Sequence, residues 1–156
     1  QTIRLLQEGA LLNIFPEGTR TPDGEIHEME RGIALVIRRA KVPVLPAVID
    51  GSYEAWKGRK IFRPWPIRVC YGPVMELARF DGKKIPEIVG EILRGMFDAL
   101  READRAGDID GQALDARVCA LSAAVMASAI GGAAMGRRRS GKSSEKTPEA
   151  KSASTI

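Results

Sequence analysis

One hexapeptide, Phe15-Pro16-Glu17-Gly18-Thr19-Arg20, holds the side chains of this sequence with the clearest chemical potential. Arg20 can offer a planar pair of donors to a phosphate, and Thr19 and the Gly18 amide can add further hydrogen bonds. Gly18 also lets the backbone approach an anion closely. Glu17 would repel a phosphate, so we expect it to orient Arg20 or to accept a hydrogen bond from a ligand hydroxyl. From these residues alone, the segment is either a phosphate-binding loop or a salt-bridged surface loop.

Predicted elements lead into this hexapeptide. The run from Leu11 to Phe15 is mostly apolar and long enough for a buried strand, which Pro16 would end by removing a backbone donor. Residues 2–8 place apolar side chains on one helical face, and Gly9 supplies a left-handed stop after them. The hexapeptide is therefore predicted to leave the end of an interior strand.

Further helices and strands are predicted downstream. Residues 17–30 form a polar loop with a turn at Pro22-Asp23-Gly24, and Gly32 to Ala40 has the apolar spacing of a helix. The segment from Val42 to Ile49 is apolar and β-branched, which favours a strand covered on both faces, although its prolines confine pairing to an edge or a bulge. Alternation over Ile67 to Tyr71 predicts a half-buried strand whose apolar face consists of Ile67, Val69 and Tyr71.

The clearest predicted helix begins at Ile85, where large apolar side chains recur with a helical period and Pro86 suits the first turn. The apolar residues are Ile85, Ile88, Val89, Ile92, Leu93, Met96, Phe97 and Leu100. At roughly 1.5–3 kcal/mol each, their burial would contribute on the order of ten to twenty kcal/mol before the entropy cost. We therefore expect this helix to cover the sheet. Because strands and helices alternate, the predicted fold class is α/β.

Composition restricts the class of protein. The 156 residues are 44% hydrophobic and 28% charged, as in one globular domain. The net charge of +4 resides in residues 137–156, which hold six basic and two acidic residues, so the body is neutral and we expect no nucleic-acid partner. Binding of nucleic acid through the basic tail is the alternative, and it would be strongly salt-dependent. Two cysteines, Cys70 and Cys119, are too few for a disulfide scaffold or a cysteine zinc site, which favours a reducing compartment.

Two segments could meet a membrane. Val118 to Gly136 has no charged residue over 19 positions but is rich in Ala, Ser and Gly, so a spanning helix, a plain helix and a linker all remain open. The basic and aromatic stretch from Lys57 to Arg68 suits either an anionic bilayer surface or a solvated loop. We divide the chain into a main domain (1–104), an Ala/Gly-rich segment (105–136) and a disordered basic tail (137–156).

Several motifs in order resemble a known family. The hexapeptide, then Gly24, Arg31-Gly32 before a helix, the VPVLPAVI strand and Gly51 resemble the third and fourth motif blocks of the phospholipid/glycerol acyltransferase family, which includes PlsC-like lysophosphatidate acyltransferases. The resemblance covers about residues 1–80. It implies a mixed β-sheet flanked by helices and a direct acyl transfer without a metal or bound cofactor. The donor would be acyl-CoA or acyl-carrier protein, and the acceptor a lysophospholipid such as 1-acylglycerol-3-phosphate.

The resemblance also implies site residues and a location. Glu17, Gly18, Thr19 and Arg20 fall in the acceptor-phosphate loop, and Pro46 falls in the block that shapes the acyl or acceptor pocket. Since such acceptors come from a bilayer, we expect the protein at the cytoplasmic face of a membrane, peripheral or weakly anchored. Met29-Glu30 departs from the aromatic residue and lysine that relatives usually carry before Arg31-Gly32, which weakens the expectation that this stretch contacts substrate.

The family's catalytic histidine and aspartate have no counterpart in this sequence. They belong several tens of residues before the hexapeptide, and 14 residues precede Phe15 here, so we expect a C-terminal fragment that is inactive alone and assign it no catalytic residue. His27 is not expected to substitute, because Gly32 stands five residues on, where the aspartate would be. The alternative to an enzyme is a pseudoenzyme that retains the phosphate loop and binds lipid without turnover.

Overall fold

The fold is organised around one long helix, α4, which spans Ile85–Ala106. The computed structural model describes residues 1–57, 64–107 and 111–137. The other elements are α1 (Thr2–Gln7), α2 (Gly32–Ala40), β1 (Ala47–Asp50), α3 (Ser52–Trp56), β2 (Arg68–Tyr71) and α5 (Gly111–Arg137). This order confirms the α/β class, while the mixed sheet and the domain division stay predictions.

Helix α4 confirms the strongest prediction from the sequence. All eight predicted apolar side chains from Ile85 to Leu100 are buried, Pro86 lies in the first turn, and Gly107 ends the helix in a left-handed conformation. The helix contacts α2, both strands and α5. Its apolar face therefore forms the centre of the hydrophobic core, and it covers the sheet as expected.

The sheet of the described residues is an antiparallel ribbon of β1 and β2, in which Val48 pairs with Cys70 and Ile49 with Val69. A bridge between Val44 and Met75 lengthens the ribbon. Val48 and Cys70 are buried in the core with α4, so their neighbours along each strand must point the other way. One face of the ribbon is consequently exposed.

This exposed face contradicts two expectations. The segment Val42 to Ile49 is not covered on both faces, because Leu45 and Ile49 are exposed. The strand predicted at Ile67 to Tyr71 is present, but its apolar face was assigned wrongly: Ile67, Val69 and Tyr71 are exposed and Cys70 is buried. The register decides the direction, since Cys70 lies opposite Val48 above α4. Arg68 lies on the same face of β2 as Cys70, where its charge is paired with Asp104 near the end of α4 at 2.6 Å.

The predicted buried strand at Leu11 to Phe15 is also wrong. These residues have no regular secondary structure, and Leu11 is 97% exposed and Phe15 69% exposed. A buried strand needs partners for its backbone groups, and the described ranges contain no strand paired with this segment. The hexapeptide therefore follows an exposed segment without regular secondary structure.

The remaining helices agree with the sequence. The predicted helix at residues 2–8 is α1, and Gly9 follows it with a φ of 93°. Helix α2 has the predicted bounds, Gly32–Ala40. The Ala-rich segment is helical, so the linker alternative for it is wrong. Most of the predicted tail and residues 58–63 of the predicted membrane loop lie outside the described residues.

Helix α5 packs along α4 through a narrow stripe of Leu114, Val118 and Val125, and Gly95 of α4 receives the side chain of Leu121. A Cβ at Gly95 would collide with Leu121. Over Gly111–Ile130, α5 is long and apolar enough to cross a membrane by length and composition alone, and most of that span is exposed.

Candidate functional site

The candidate site is the loop of residues 16–30, whose two ends are joined. The amide of Glu30 donates to the Pro16 carbonyl at 2.7 Å, and the amide of Gly18 donates to the Phe15 carbonyl at 3.2 Å. The second bond closes a β-turn with Pro16 and Gly18 at positions that favour proline and glycine. Gly18 has a φ of 70°, and a Cβ there would lie 2.8 Å from Cγ of Glu30. The backbone conformation therefore favours glycine, and a Cβ would in addition displace the Glu30 side chain.

Glu17 connects the two halves of the loop by a hydrogen bond. Its Oε2 accepts a hydrogen bond of 3.1 Å from the amide of His27, and its side chain is partly buried. Among the described residues no hydrogen bond or ion pair joins Glu17 to Arg20, so the expected orientation of Arg20 by Glu17 is not seen here. The carboxylate instead links the first and second halves of the loop.

Thr19 and Arg20 directly follow this turn and are exposed. Within the described ranges the Arg20 guanidinium forms no ion pair, so it is not neutralised by a neighbouring carboxylate. The Gly18 amide is already used in the turn, so of the three donors predicted from the sequence the Thr19 hydroxyl and Arg20 remain for a ligand. The Arg20 guanidinium is therefore available to bind an anion next to the closed turn.

The second half of the loop is ordered around Asp23. Its Oδ1 accepts hydrogen bonds from the Thr21 hydroxyl at 2.9 Å and from the Glu25 amide at 3.0 Å, and it lies 2.9 Å from Nε2 of His27. The hydrogen bond from the Glu25 amide, followed by those from His27 and Thr21, lowers the pKa of Asp23 from 3.8 to about 2. Gly24 follows with a φ of 88° against the ring of Tyr53. The turn predicted at residues 22–24 is confirmed.

Two arginines of α4 hold the same half of the loop. Arg101 donates to the Gly24 carbonyl, to Glu25 and to Asp50 at the end of β1, and Arg94 donates to the His27 carbonyl at 3.4 Å. Sequence analysis assigned neither arginine a role. The only signal in the sequence is their spacing of seven residues, which places them on one face of a helix.

Pro46 lies apart from the loop. It is buried, its carbonyl accepts a hydrogen bond from the Gly72 amide at 2.9 Å, and no described hydrogen bond joins it to residues 16–30. A groove of about 660 Å³ between β2 and α5 is lined by Tyr71, Leu114 and Cys119 among others, and it contains none of the predicted site residues. The structure thus brings Glu17, Gly18, Thr19 and Arg20 together and does not bring Pro46 to them.

No metal centre is evident in the described part of the chain, where no three His, Cys, Asp or Glu side chains are grouped to hold an ion.

Known proteins contain a segment similar to this loop. Residues 1–50, which include the whole hexapeptide loop, match the family model described as Acyltransferase. This part of the chain is therefore similar to acyltransferases of the PlsC-like family. The resemblance stated from the motifs is thereby confirmed.

Curated relatives of this chain are named as 1-acyl-sn-glycerol-3-phosphate acyltransferases. The protein from Limnanthes alba is 33% identical over 91 residues, which are 57% of this chain and 32% of the relative. The protein from Bacillus subtilis is 26% identical over 106 residues, or 68% of this chain and 51% of the relative. The chain thus spans about a third to a half of the length of these relatives. No solved structure matches the chain significantly.

Proposed function

We propose that the protein transfers a fatty acyl group from an acyl thioester to the free hydroxyl of a lysophospholipid such as 1-acylglycerol-3-phosphate. The name shared by the relatives supports this acceptor. The observation that carries the proposal for this chain is the exposed Arg20, without an ion pair in the described residues, in a loop that belongs to the matched segment. The donor would be acyl-CoA or acyl-carrier protein, and no metal or bound cofactor is proposed.

The loop acts on the acceptor. Arg20 binds the phosphate through its paired N–H donors, and the Thr19 hydroxyl adds a hydrogen bond. With the phosphate fixed, the acceptor hydroxyl is held near the thioester carbonyl, which removes much of the entropic cost of their encounter. Glu17 keeps the two halves of the loop together through the His27 amide.

The transfer needs a base that takes the proton of the acceptor hydroxyl while its oxygen attacks the carbonyl carbon. The new C–O bond forms as the C–S bond breaks, and the leaving thiolate takes up a proton. The single histidine here, His27, is bonded to Asp23 within the loop, so we propose that the base is a histidine outside these 156 residues. The given residues alone would then be inactive.

We also propose that the enzyme works at the cytoplasmic face of a membrane, from which its acceptor is drawn. Helix α5 meets the length and composition of a membrane span. Its packing on α4 through Leu114, Val118 and Val125 supports peripheral attachment rather than crossing, because crossing would remove those side chains from the core of the domain.

The proposal is tested by Arg20→Ala and Arg20→Lys in the full-length gene product. Each is assayed with lysophosphatidate and with a monoacylglycerol that lacks the phosphate. Because a bidentate, charge-assisted contact is lost, kcat/KM for lysophosphatidate should fall roughly 10²- to 10³-fold in Arg20→Ala, or ~3–4 kcal/mol. Arg20→Lys should be intermediate, since lysine keeps the charge without the planar pair of donors.

The matched control is Arg39→Ala, which removes an exposed arginine of α2. It should leave both acceptors unaffected, and the KM for the thioester should be unchanged in every variant. Equal use of lysophosphatidate by Arg20→Ala and by the unaltered protein would exclude Arg20 from the site. A full-length product that binds lysophosphatidate but never turns it over would favour the pseudoenzyme.

A further inference from the structure

We propose that Arg101 of α4 is a positioning residue that fixes the acceptor-phosphate loop to the end of β1 and thereby sets the geometry in which Arg20 meets its ligand. The role assigned to Arg20 rests on the proposed function. The attachment of the loop by Arg101 is a feature of the fold and can be tested separately.

Arg101 joins two segments that are far apart in sequence. Its Nη1 donates to Oε1 of Glu25 at 2.6 Å and its Nη2 to the Gly24 carbonyl at 3.2 Å, and both acceptors belong to the loop. Its Nε donates to Oδ1 of Asp50 at 3.1 Å, in the last residue of β1. Only a guanidinium has donors on three nitrogens in one plane, so a lysine at this position could not make all three bonds at once.

The surroundings of Arg101 make these bonds stronger than those of a solvated arginine. The Arg101 side chain is 22% exposed and that of Asp50 is 12% exposed, so water and salt screen this pair less than a surface pair. The Phe97 ring lies 4.1 Å from the guanidinium carbon and adds a cation–π contact. Burial alone would lower the pKa of Arg101, but the hydrogen bonds to Glu25 and Asp50 outweigh it and raise the pKa above its ordinary value.

Charge explains why the loop depends on this residue. Glu25 and Asp50 both bind the one guanidinium, so its removal leaves two nearby carboxylates without the cation that they share. Their repulsion would push the loop away from β1. Arg94 donates instead to the His27 carbonyl at 3.4 Å, and within the described residues it forms no ion pair with either carboxylate.

A short series of contacts connects Arg101 to the turn at residues 15–18. The residues it holds, Gly24 and Glu25, are followed by His27, whose amide binds the Glu17 carboxylate. The Glu30 amide then closes the loop on Pro16. Release at Gly24 and Glu25 therefore loosens the neighbours of Arg20 rather than a remote part of the surface.

The first test measures the loop itself by hydrogen exchange in the full-length gene product. In Arg101→Gln, the amides of His27 and Glu30 should exchange at least tenfold faster, while amides in the middle of α4 keep their protection. Glu25→Gln removes the negative charge of only the exposed loop contact, and it should give a smaller increase in exchange without endangering the fold. Arg105→Gln, one turn further along the exposed side of α4, is the matched control and should change neither amide. Unchanged exchange in both Arg101→Gln and Glu25→Gln would overturn the proposal.

The second test separates positioning from a general loss of structure. A merely structural defect lowers the active fraction, and hence kcat, equally for phosphorylated and unphosphorylated acceptors. A misplaced phosphate loop should instead raise the KM for lysophosphatidate about tenfold and leave the KM for a monoacylglycerol unaltered. Arg101→Lys should restore part of the difference, because it keeps a cation between Glu25 and Asp50. An equal loss for both acceptors would refute the positioning role.

The two hypotheses can fail independently. If Arg20→Ala leaves acceptor use intact while Arg101→Gln still speeds exchange at His27 and Glu30, the proposed function of the loop is wrong and the attachment by Arg101 stands. If Arg20→Ala impairs use of the phosphorylated acceptor but Arg101→Gln alters neither exchange nor acceptor preference, the function stands and the inference about Arg101 is wrong.

Discussion

The clearest perturbation of the candidate site is Gly18→Ala. Gly18 has a φ of 70°, and a Cβ there would lie 2.8 Å from Cγ of Glu30. The left-handed backbone costs an L-residue with a Cβ roughly 1–2 kcal/mol. The contact adds less, because Glu30 is an exposed, flexible side chain that can move aside. We therefore expect the closed loop to lose ~1–2 kcal/mol, equivalent to a factor of about 5–30 in the population of the closed form.

Two further variants divide this cost into its parts. Gly18→Asn should be milder than Gly18→Ala, since asparagine tolerates the left-handed region better. Gly18→Ala combined with Glu30→Ala removes the steric contact and leaves only the backbone cost, so it should recover a minor part of the loss. The measurements are kcat/KM with lysophosphatidate and the exchange rate of the Glu30 amide, which reports closure of the loop.

The control for Gly18→Ala is Gly9→Ala. Gly9 has a φ of 93° after α1, and no atom lies within 4 Å of a Cβ built there. It carries a comparable backbone cost outside the loop, so Gly9→Ala should reduce stability without affecting use of the acceptor. If Gly9→Ala and Gly18→Ala lowered kcat/KM equally, or if Gly18→Ala had no effect on it, the argument from the loop geometry would be refuted.

Two other predictions concern pH and packing. The pKa of Asp23 is lowered from 3.8 to about 2, so its stabilisation of the loop is present above pH 3.8 and is lost as the pH falls towards 2. Protection of the Glu25 amide, which donates to Asp23, should decline over that window, and Asp23→Asn should abolish the decline. Gly95→Leu would stabilise an unpacked helix by roughly 0.5–1 kcal/mol. It should instead destabilise the protein by about 1–3 kcal/mol in urea unfolding, because Leu121 occupies that space, and Leu121→Ala should relieve the loss. Stabilisation by Gly95→Leu would show that α5 does not pack there.

The sequence predicted those parts of the fold that depend on local periodicity. Helices α2 and α4 were located because their apolar residues recur with a helical period next to clear ends. The face of β2 could not be predicted, because alternation shows that a strand has two faces and only its register opposite Val48 decides which one is buried. The apolar run at Leu11 to Phe15 gave a wrong strand for a related reason, since pairing depends on partners elsewhere in the chain.

The candidate site, like the fold, could be predicted only in part. The hexapeptide could be recognised because its residues are contiguous, and the structure places Glu17 to Arg20 in one closed loop. The contacts that hold this turn were missed because they join distant positions: Arg101 lies 76 residues from Glu25 and 51 from Asp50. Nothing in the helical period of α4 distinguishes Arg101 from an arginine that only faces water.

The junction at Arg101 has a consequence for how the sequence can change. Arg101 forms ion pairs with both Glu25 and Asp50. Replacing any one of the three changes the charge that the others meet. We expect a neutral residue at position 101 where Glu25 and Asp50 have also been replaced by neutral residues. A change at Glu25 or Asp50 should likewise be accompanied by a change at position 101. The three positions, scattered over three elements of the chain, are therefore constrained to evolve as one unit.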